Sequence, residues 1–105
     1  MAVTKKSKKT RKPKLPDPQI FGGGAHDEEQ YRLWLGQNEL GYVINFSQDY
    51  RWMKLHRATC GSINVEDMQY TASCFKACSL FTPVLRAWAQ QHSTNKLWMC
   101  RLCID

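Results

Sequence analysis

The pair Cys100 and Cys103, two residues apart in L-W-M-C-R-L-C, constrains this chain more than any other feature. Cysteines at this spacing sit on one tight turn, as in a zinc knuckle, and offer two thiolates to a tetrahedral metal. A knuckle supplies only half of such a site, so two further ligands must come from elsewhere. His56 and Cys60, four apart in K-L-H-R-A-T-C-G, offer them, with His56 at the end of an expected strand and Cys60 in the turn after it. A site built from His56, Cys60, Cys100 and Cys103 would tie the middle of the chain to its end. Cys78 is the main rival ligand, and Cys74 lies four residues before it.

Size makes such a staple useful. The 105 residues leave room for one domain. An ordered part of about 80 residues is marginal for a purely hydrophobic core. The five cysteines are odd in number, and the N-terminal stretch M-A-V-T-K-K-S-K-K has no apolar run of a signal peptide. No segment reaches the roughly 18 apolar residues that span a bilayer. A cytoplasmic, reducing location without membrane contact is therefore expected, where C-x-x-C spacings read as metal or redox sites. A redox pair would normally open a helix after a strand, and Cys103 stands too near the end for one. Unligated buried thiols are the remaining alternative.

Catalysis has little to build on. A cysteine nucleophile needs a histidine base and an orienting partner, and nothing in the pattern places His26, His56 or His92 in that role. Asp27, Glu28 and Glu29 read as groups at a helix N-terminus. Metal-assisted hydrolysis needs clustered carboxylates or histidines, and four protein ligands leave a zinc ion no open position for water. The expectation is a non-enzyme with structural zinc.

The formal net charge of +6 is concentrated at one end. Residues 1–18 hold seven of the fifteen lysines and arginines against Asp17 alone, and residues 19–105 balance eight against eight. K-K-S-K-K-T-R-K-P-K-L-P-D-P has dense like charge and little to bury, so residues 1–24 are expected to be a disordered basic tail ending in a glycine hinge. Such a tail can grip phosphate through Lys5, Lys6, Lys8, Lys9, Arg11, Lys12 and Lys14. Within the remainder, residues 19–50 carry −4 and residues 51–105 carry +4. R-W-M-K-L-H-R interleaves Arg51, Lys54 and Arg57 with Trp52. Those cations, with Lys76, could extend a phosphate contact, and Trp52 or Tyr50 could stack on a base.

The elements follow from periodicity. D-E-E-Q-Y-R-L-W-L-G-Q-N predicts a helix capped by Asp27, with Tyr31, Trp34 and Leu35 on one face. G-Y-V-I-N-F and Y-R-W-M-K-L-H-R predict a β-hairpin whose second strand has Trp52, Lys54 and His56 on one side. Y-T-A-S-C-F-K-A-C-S predicts a third strand. Thr82-Pro83 starts a second helix carrying Leu85 and Trp88, and a strand or knuckle closes the chain. Residues 25–105 thus form a single α+β domain: a small antiparallel sheet of three to four strands, two packed helices and a C-terminal zinc knuckle.

Y-R-L-W-L-G-Q-N-E-L-G-Y-V-I-N, M-K-L-H-R-A-T-C-G-S-I, F-K-A-C-S with L-R-A-W-A, and C-R-L-C together resemble a family of small uncharacterised bacterial domains. Its pattern has a G-F/Y-V-x-N strand, an L-H-R-x-S/T-C motif, K-x-C, an E/D-L-x-x-W-A helix and a terminal C-x-x-C. The likeness covers roughly residues 30–103, and Pro83 and Val84 stand where that helix usually has acidic residues. It implies an α+β domain with a metal site drawing on His56, Cys60, Cys78, Cys100 and Cys103, and it implies no reaction. The expected role is a nucleic-acid-associated binding module, on DNA or RNA. The alternative is a small adaptor or inhibitor of phage or mobile-element type, acting on a nucleic-acid-processing protein.

Overall fold

A computed structural model describes residues 17–22, 24–61, 63, 74–92 and 96–104. Five strands form one mixed sheet in the order β1-β4-β2-β3-β5: β1 Gln19–Phe21, β2 Tyr42–Phe46, β3 Met53–Arg57, β4 Phe75–Ser79 and β5 Leu97–Met99. Helix α1 (Ala25–Gln37) packs on one face and α2 (Thr82–His92) on the other. The class is α+β as expected, but the sheet is larger and not purely antiparallel. β5 runs parallel to β3, with Met53 opposite Leu97, Lys54 opposite Trp98 and Leu55 opposite Met99. β1 lies inside the stretch expected as tail and pairs with β4, so the sheet begins before residue 25. Residues 1–16 and the expected strand residues 70–73 lie outside the described residues.

Covering both faces explains why β2 buries consecutive residues. Val43 joins Phe21, Tyr31, Trp34, Ala58 and Cys78 beneath α1. Ile44 and Phe46 join Met53, Leu55, Ala77, Leu85, Trp88 and Ala89 beneath α2. A strand between two helical layers loses the polar alternation of a half-exposed one.

α1 begins at Ala25 with Gly24 as N-cap, so Asp27 is not the cap. Its carboxylate instead accepts the Gly22 amide at 2.9 Å, taking up the donor of the chain arriving from β1. Glu28 in the first turn pairs with Arg32 at 2.9 Å. At the other end the Asn38 side chain donates to the Trp34 carbonyl at 2.9 Å, satisfying one of the last acceptors. Gly41 then admits the Trp34 ring: a Cβ there would lie 2.7 Å from the Trp34 Cη2 and 3.2 Å from the Ser79 carbonyl.

The β2–β3 turn is organised by Ser47, whose Oγ accepts the Arg51 amide at 3.0 Å and donates to Asp49 at 2.8 Å. Tyr50 adopts φ 61°, a left-handed conformation costly for a non-glycine residue. Its ring stacks on Phe46 at 5.5 Å and on His92 at 5.1 Å, which holds the turn against α2. Tyr50 is thus part of the packing and not a platform for a base.

Candidate metal centre

β3 delivers the first ligand by simple alternation. Met53 and Leu55 point into the core under α2, so His56 points to the opposite face, the one α1 partly covers. β5 lies beside β3 in parallel register, and Leu97 and Met99 pack into the same core as Met53 and Leu55. Trp98 and Cys100 therefore share the face of His56. The Cys100 amide donates to the Leu55 carbonyl at 2.9 Å, prolonging the ladder by one bond. Two tight turns add the other ligands. The Cys60 amide bonds to the Arg57 carbonyl at 3.0 Å, and the Ile104 amide to the Cys100 carbonyl at 2.9 Å, which curls residues 100–104 around Cys103.

The result is a group of three thiols and one imidazole. The ligating atoms of His56, Cys60, Cys100 and Cys103 all lie within 4.8 Å of one another, and three of the four residues are buried. Cys60 Sγ and Cys100 Sγ are 3.8 Å apart. A disulfide requires about 2.05 Å, whereas a tetrahedral ion with bonds of about 2.0–2.3 Å has ligand edges of about 3.3–3.8 Å, the longest between two thiolates. The thiol pair already has the metal spacing, and the widest edge closes with a shift of about 1 Å. The cluster can hold a metal ion.

Its electrostatics suit a cation. Burial and the nearby Lys54 and Lys76 ammonium groups hold the His56 pKa down at about 4, so the imidazole is neutral, as a ligand must be. Its Nε2 is buried and meets no hydrogen-bond partner among the described residues. Burial, with a smaller contribution from the neighbouring Cys60 and Cys100 thiols, pushes the Cys103 thiol up to about 12. A divalent ion reverses that balance by favouring the thiolates. The Arg57 amide already donates to Cys103 Sγ at 3.2 Å, the kind of outer contact that steadies a metal thiolate. Arg57 Nε donates to the Cys103 carbonyl at 2.6 Å, fixing the turn itself.

The rival ligands lie elsewhere. Val43 sits opposite both His56 and Cys78, so β2 separates them by two strand spacings, about 9–10 Å. Cys78 is 1% exposed in the core under α1, where burial raises its thiol well above the ordinary range. Cys74 precedes β4, near the Phe46–Phe75 pair at the other end of the sheet. No disulfide joins any of the five cysteines.

The residues read as phosphate contacts divide three ways. Lys5, Lys6, Lys8, Lys9, Arg11, Lys12 and Lys14 lie outside the described residues. Arg51, Lys54 and Arg57 are exposed, with Arg51 beside Asp49 at 3.3 Å and the Arg57 guanidinium 5.8 Å from the centre of the Tyr42 ring. Lys76 cannot serve. It is 2% exposed, its Nζ donates to Asn45 Oδ1 at 2.7 Å, and burial lowers its pKa. Its place opposite both Phe21 and Asn45, inside the sheet, was hidden because the sequence did not reveal β1 as a strand. The role of Arg57 in bracing the knuckle was equally invisible, since its bonds to Cys103 span 46 residues.

No family model, curated protein or solved structure matches this chain.

Proposed function

We propose that the chain is a non-enzymatic, zinc-stabilised module that associates with nucleic acid. The convergence of three thiols and a neutral imidazole within 4.8 Å carries the zinc assignment. Soft thiolate with imidazole in a four-ligand set suits zinc, and a filled tetrahedral shell makes the ion structural. The resemblance to small bacterial domains implies a metal site drawing on these four residues and on Cys78, which lies two strands from His56 here. Phosphate contact is assigned to the seven basic residues of the N-terminal stretch, with Arg51, Lys54 and Arg57 as auxiliary cations.

The test measures binding of the full chain to a short oligonucleotide across salt concentrations. It is repeated with those seven lysines and arginines replaced by glutamine. Seven lost phosphate contacts lower the salt slope by about 5–6. An unchanged slope would remove the N-terminal stretch from the interface.

A second reading, a protein-binding adaptor or inhibitor of a nucleic-acid-processing protein, has one observation in its favour. Leu40, Leu80, Phe81 and Leu102 are exposed, and the strand register puts all four toward one end of the sheet.

A further inference from the structure

The face that carries the clasp also carries an ordered array that the clasp does not use. Reading along β3 and into it, every second residue on this face is Trp52, Lys54 and His56; along β5 it is Lys96, Trp98 and Cys100. The parallel register places Lys54 beside Trp98. Continued one step either way, it sets Trp52 beside Lys96 and His56 beside Cys100. Below the metal ligands, tryptophan and lysine thus alternate in both directions. The two indoles are diagonal neighbours, about 7–8 Å apart at the backbone.

Both rings are open. Trp52 is 41% exposed and Trp98 is 54% exposed, whereas Trp34 and Trp88 are buried in the two cores. Lys96 Nζ stands 4.6 Å from the centre of the Trp98 ring. The charged side chains interleaved with the rings, Lys54 and Lys96, are both cationic and exposed. Folding leaves large aromatic surface in water only at an energetic cost, and here the exposed rings are two, adjacent and interleaved with cations.

From this array we propose that the β3–β5 face is a stacking platform for single-stranded nucleic acid. Trp52 and Trp98 each take the flat side of one unpaired base, and Lys54 and Lys96 take the phosphates beside them. A duplex hides its base faces and offers the platform only phosphate, so the chemistry selects a single strand. DNA and RNA share the required features. The inference rests on the nucleic-acid reading above and adds to it the strandedness of the ligand and the residues that contact bases.

The test uses the full chain at physiological salt with a 12-residue oligothymidylate, a 12-residue oligouridylate and a 12-base-pair DNA duplex. Binding is followed by anisotropy of the labelled oligonucleotide and by the protein's own tryptophan emission. Single strands should bind at least about tenfold more tightly than the duplex and quench the emission of the exposed indoles. Trp98→Ala and Trp52→Ala should each weaken single-strand binding about 5- to 100-fold, with duplex binding and the melting temperature little changed. Trp98→Phe, which keeps an aromatic face on the edge strand, should restore most of the loss. Should oligothymidylate and oligouridylate differ, oligodeoxyuridylate, which shares its sugar with the first and its base with the second, assigns the difference to the 2′-hydroxyl or to the thymine methyl, and either assignment keeps the platform. Equal affinity for strand and duplex, untouched by either alanine, would overturn the platform while leaving the phosphate-contacting stretch in place. No binding to any of the three would overturn both.

Discussion

Removing the metal should cost most of this domain's stability. The clasp joins residues 40 apart through Cys60 and Cys100, and it does so at a short edge of the sheet, since β5 is three residues long and among the described residues pairs with β3 alone. Cross-linking a loop of that length removes about 4 kcal/mol of chain entropy from the unfolded state. A domain of this size shifts its melting temperature by about 4–8 °C per kcal/mol. Saturating chelator should therefore lower the midpoint by roughly 15–30 °C, and Cys100→Ser should behave like chelated wild type and ignore added zinc. Cys78→Ala is the control, because it opens a small hole in the α1 core without touching the clasp. It should lose about 1 kcal/mol and keep its full response to zinc. The assay is thermal unfolding by circular dichroism, with native mass spectrometry counting bound metal. A reduced protein that carries no zinc, or a midpoint that moves less than about 3 °C on chelation, would refute the clasp. A loss of zinc response in Cys78→Ala would show the ligand set to be wrong.

Three other outcomes follow from individual contacts. Zinc binding at neutral pH should release about three protons, one from each thiol and none from His56, whose pKa of about 4 leaves it neutral beforehand. Apparent affinity should fall steeply as the pH is lowered, and calorimetry in buffers of different ionisation enthalpy counts the protons; a count of four would contradict the buried neutral imidazole. Gly41→Ala should destabilise by about 1–3 kcal/mol in urea, because the added methyl meets the Trp34 ring at 2.7 Å and the backbone on two sides. A neutral result would mean that the Trp34 ring yields freely. Lys76 binds its proton less tightly in the fold than in the unfolded chain, so wild-type stability should rise as the pH climbs through the alkaline window between those two values. Lys76→Met should abolish that rise in urea denaturation at increasing pH, whereas Lys54→Met, on the exposed face, should preserve it.

Local signals were legible and long-range ones were not. Alternation along M-K-L-H-R put His56 opposite Met53 and Leu55, and the tight spacing of C-R-L-C put two thiols on one turn. Those two readings suffice to assemble the four ligands, because each depends on neighbours within four residues. The partner of β5 and the paired state of Gln19–Phe21 depend on hydrogen bonds across more than 40 residues. A three-residue strand has too few positions to display a period. The burial of Lys76 is illegible for the same reason: a lysine on an alternating strand looks exposed until the strands on both sides of it are known. Asp27 has the type and position of a cap, yet a backbone amide five residues upstream claims its carboxylate.

The clasp and the tryptophan array are one construction seen at two depths. Trp98 lies two residues before the candidate ligand Cys100, and Lys54 two before the candidate ligand His56, on the same side of the same pair of strands. Among the described residues β5 has no neighbour beyond β3, so its far end is held by the Cys100 amide bond, the two Arg57 bonds to Cys103 and any metal the four side chains bind. An edge strand this short frays readily when its end is released. Metal loss should therefore scatter the indoles before it exposes the core under α2, whose residues come mainly from β2, β3, β4 and α2 itself. At a chelator concentration that leaves helical circular dichroism intact, the emission of Trp98 should already have changed and single-strand affinity should already have dropped. If affinity and helicity instead disappear together, the clasp stabilises the domain as a whole and has no separate hold on the platform.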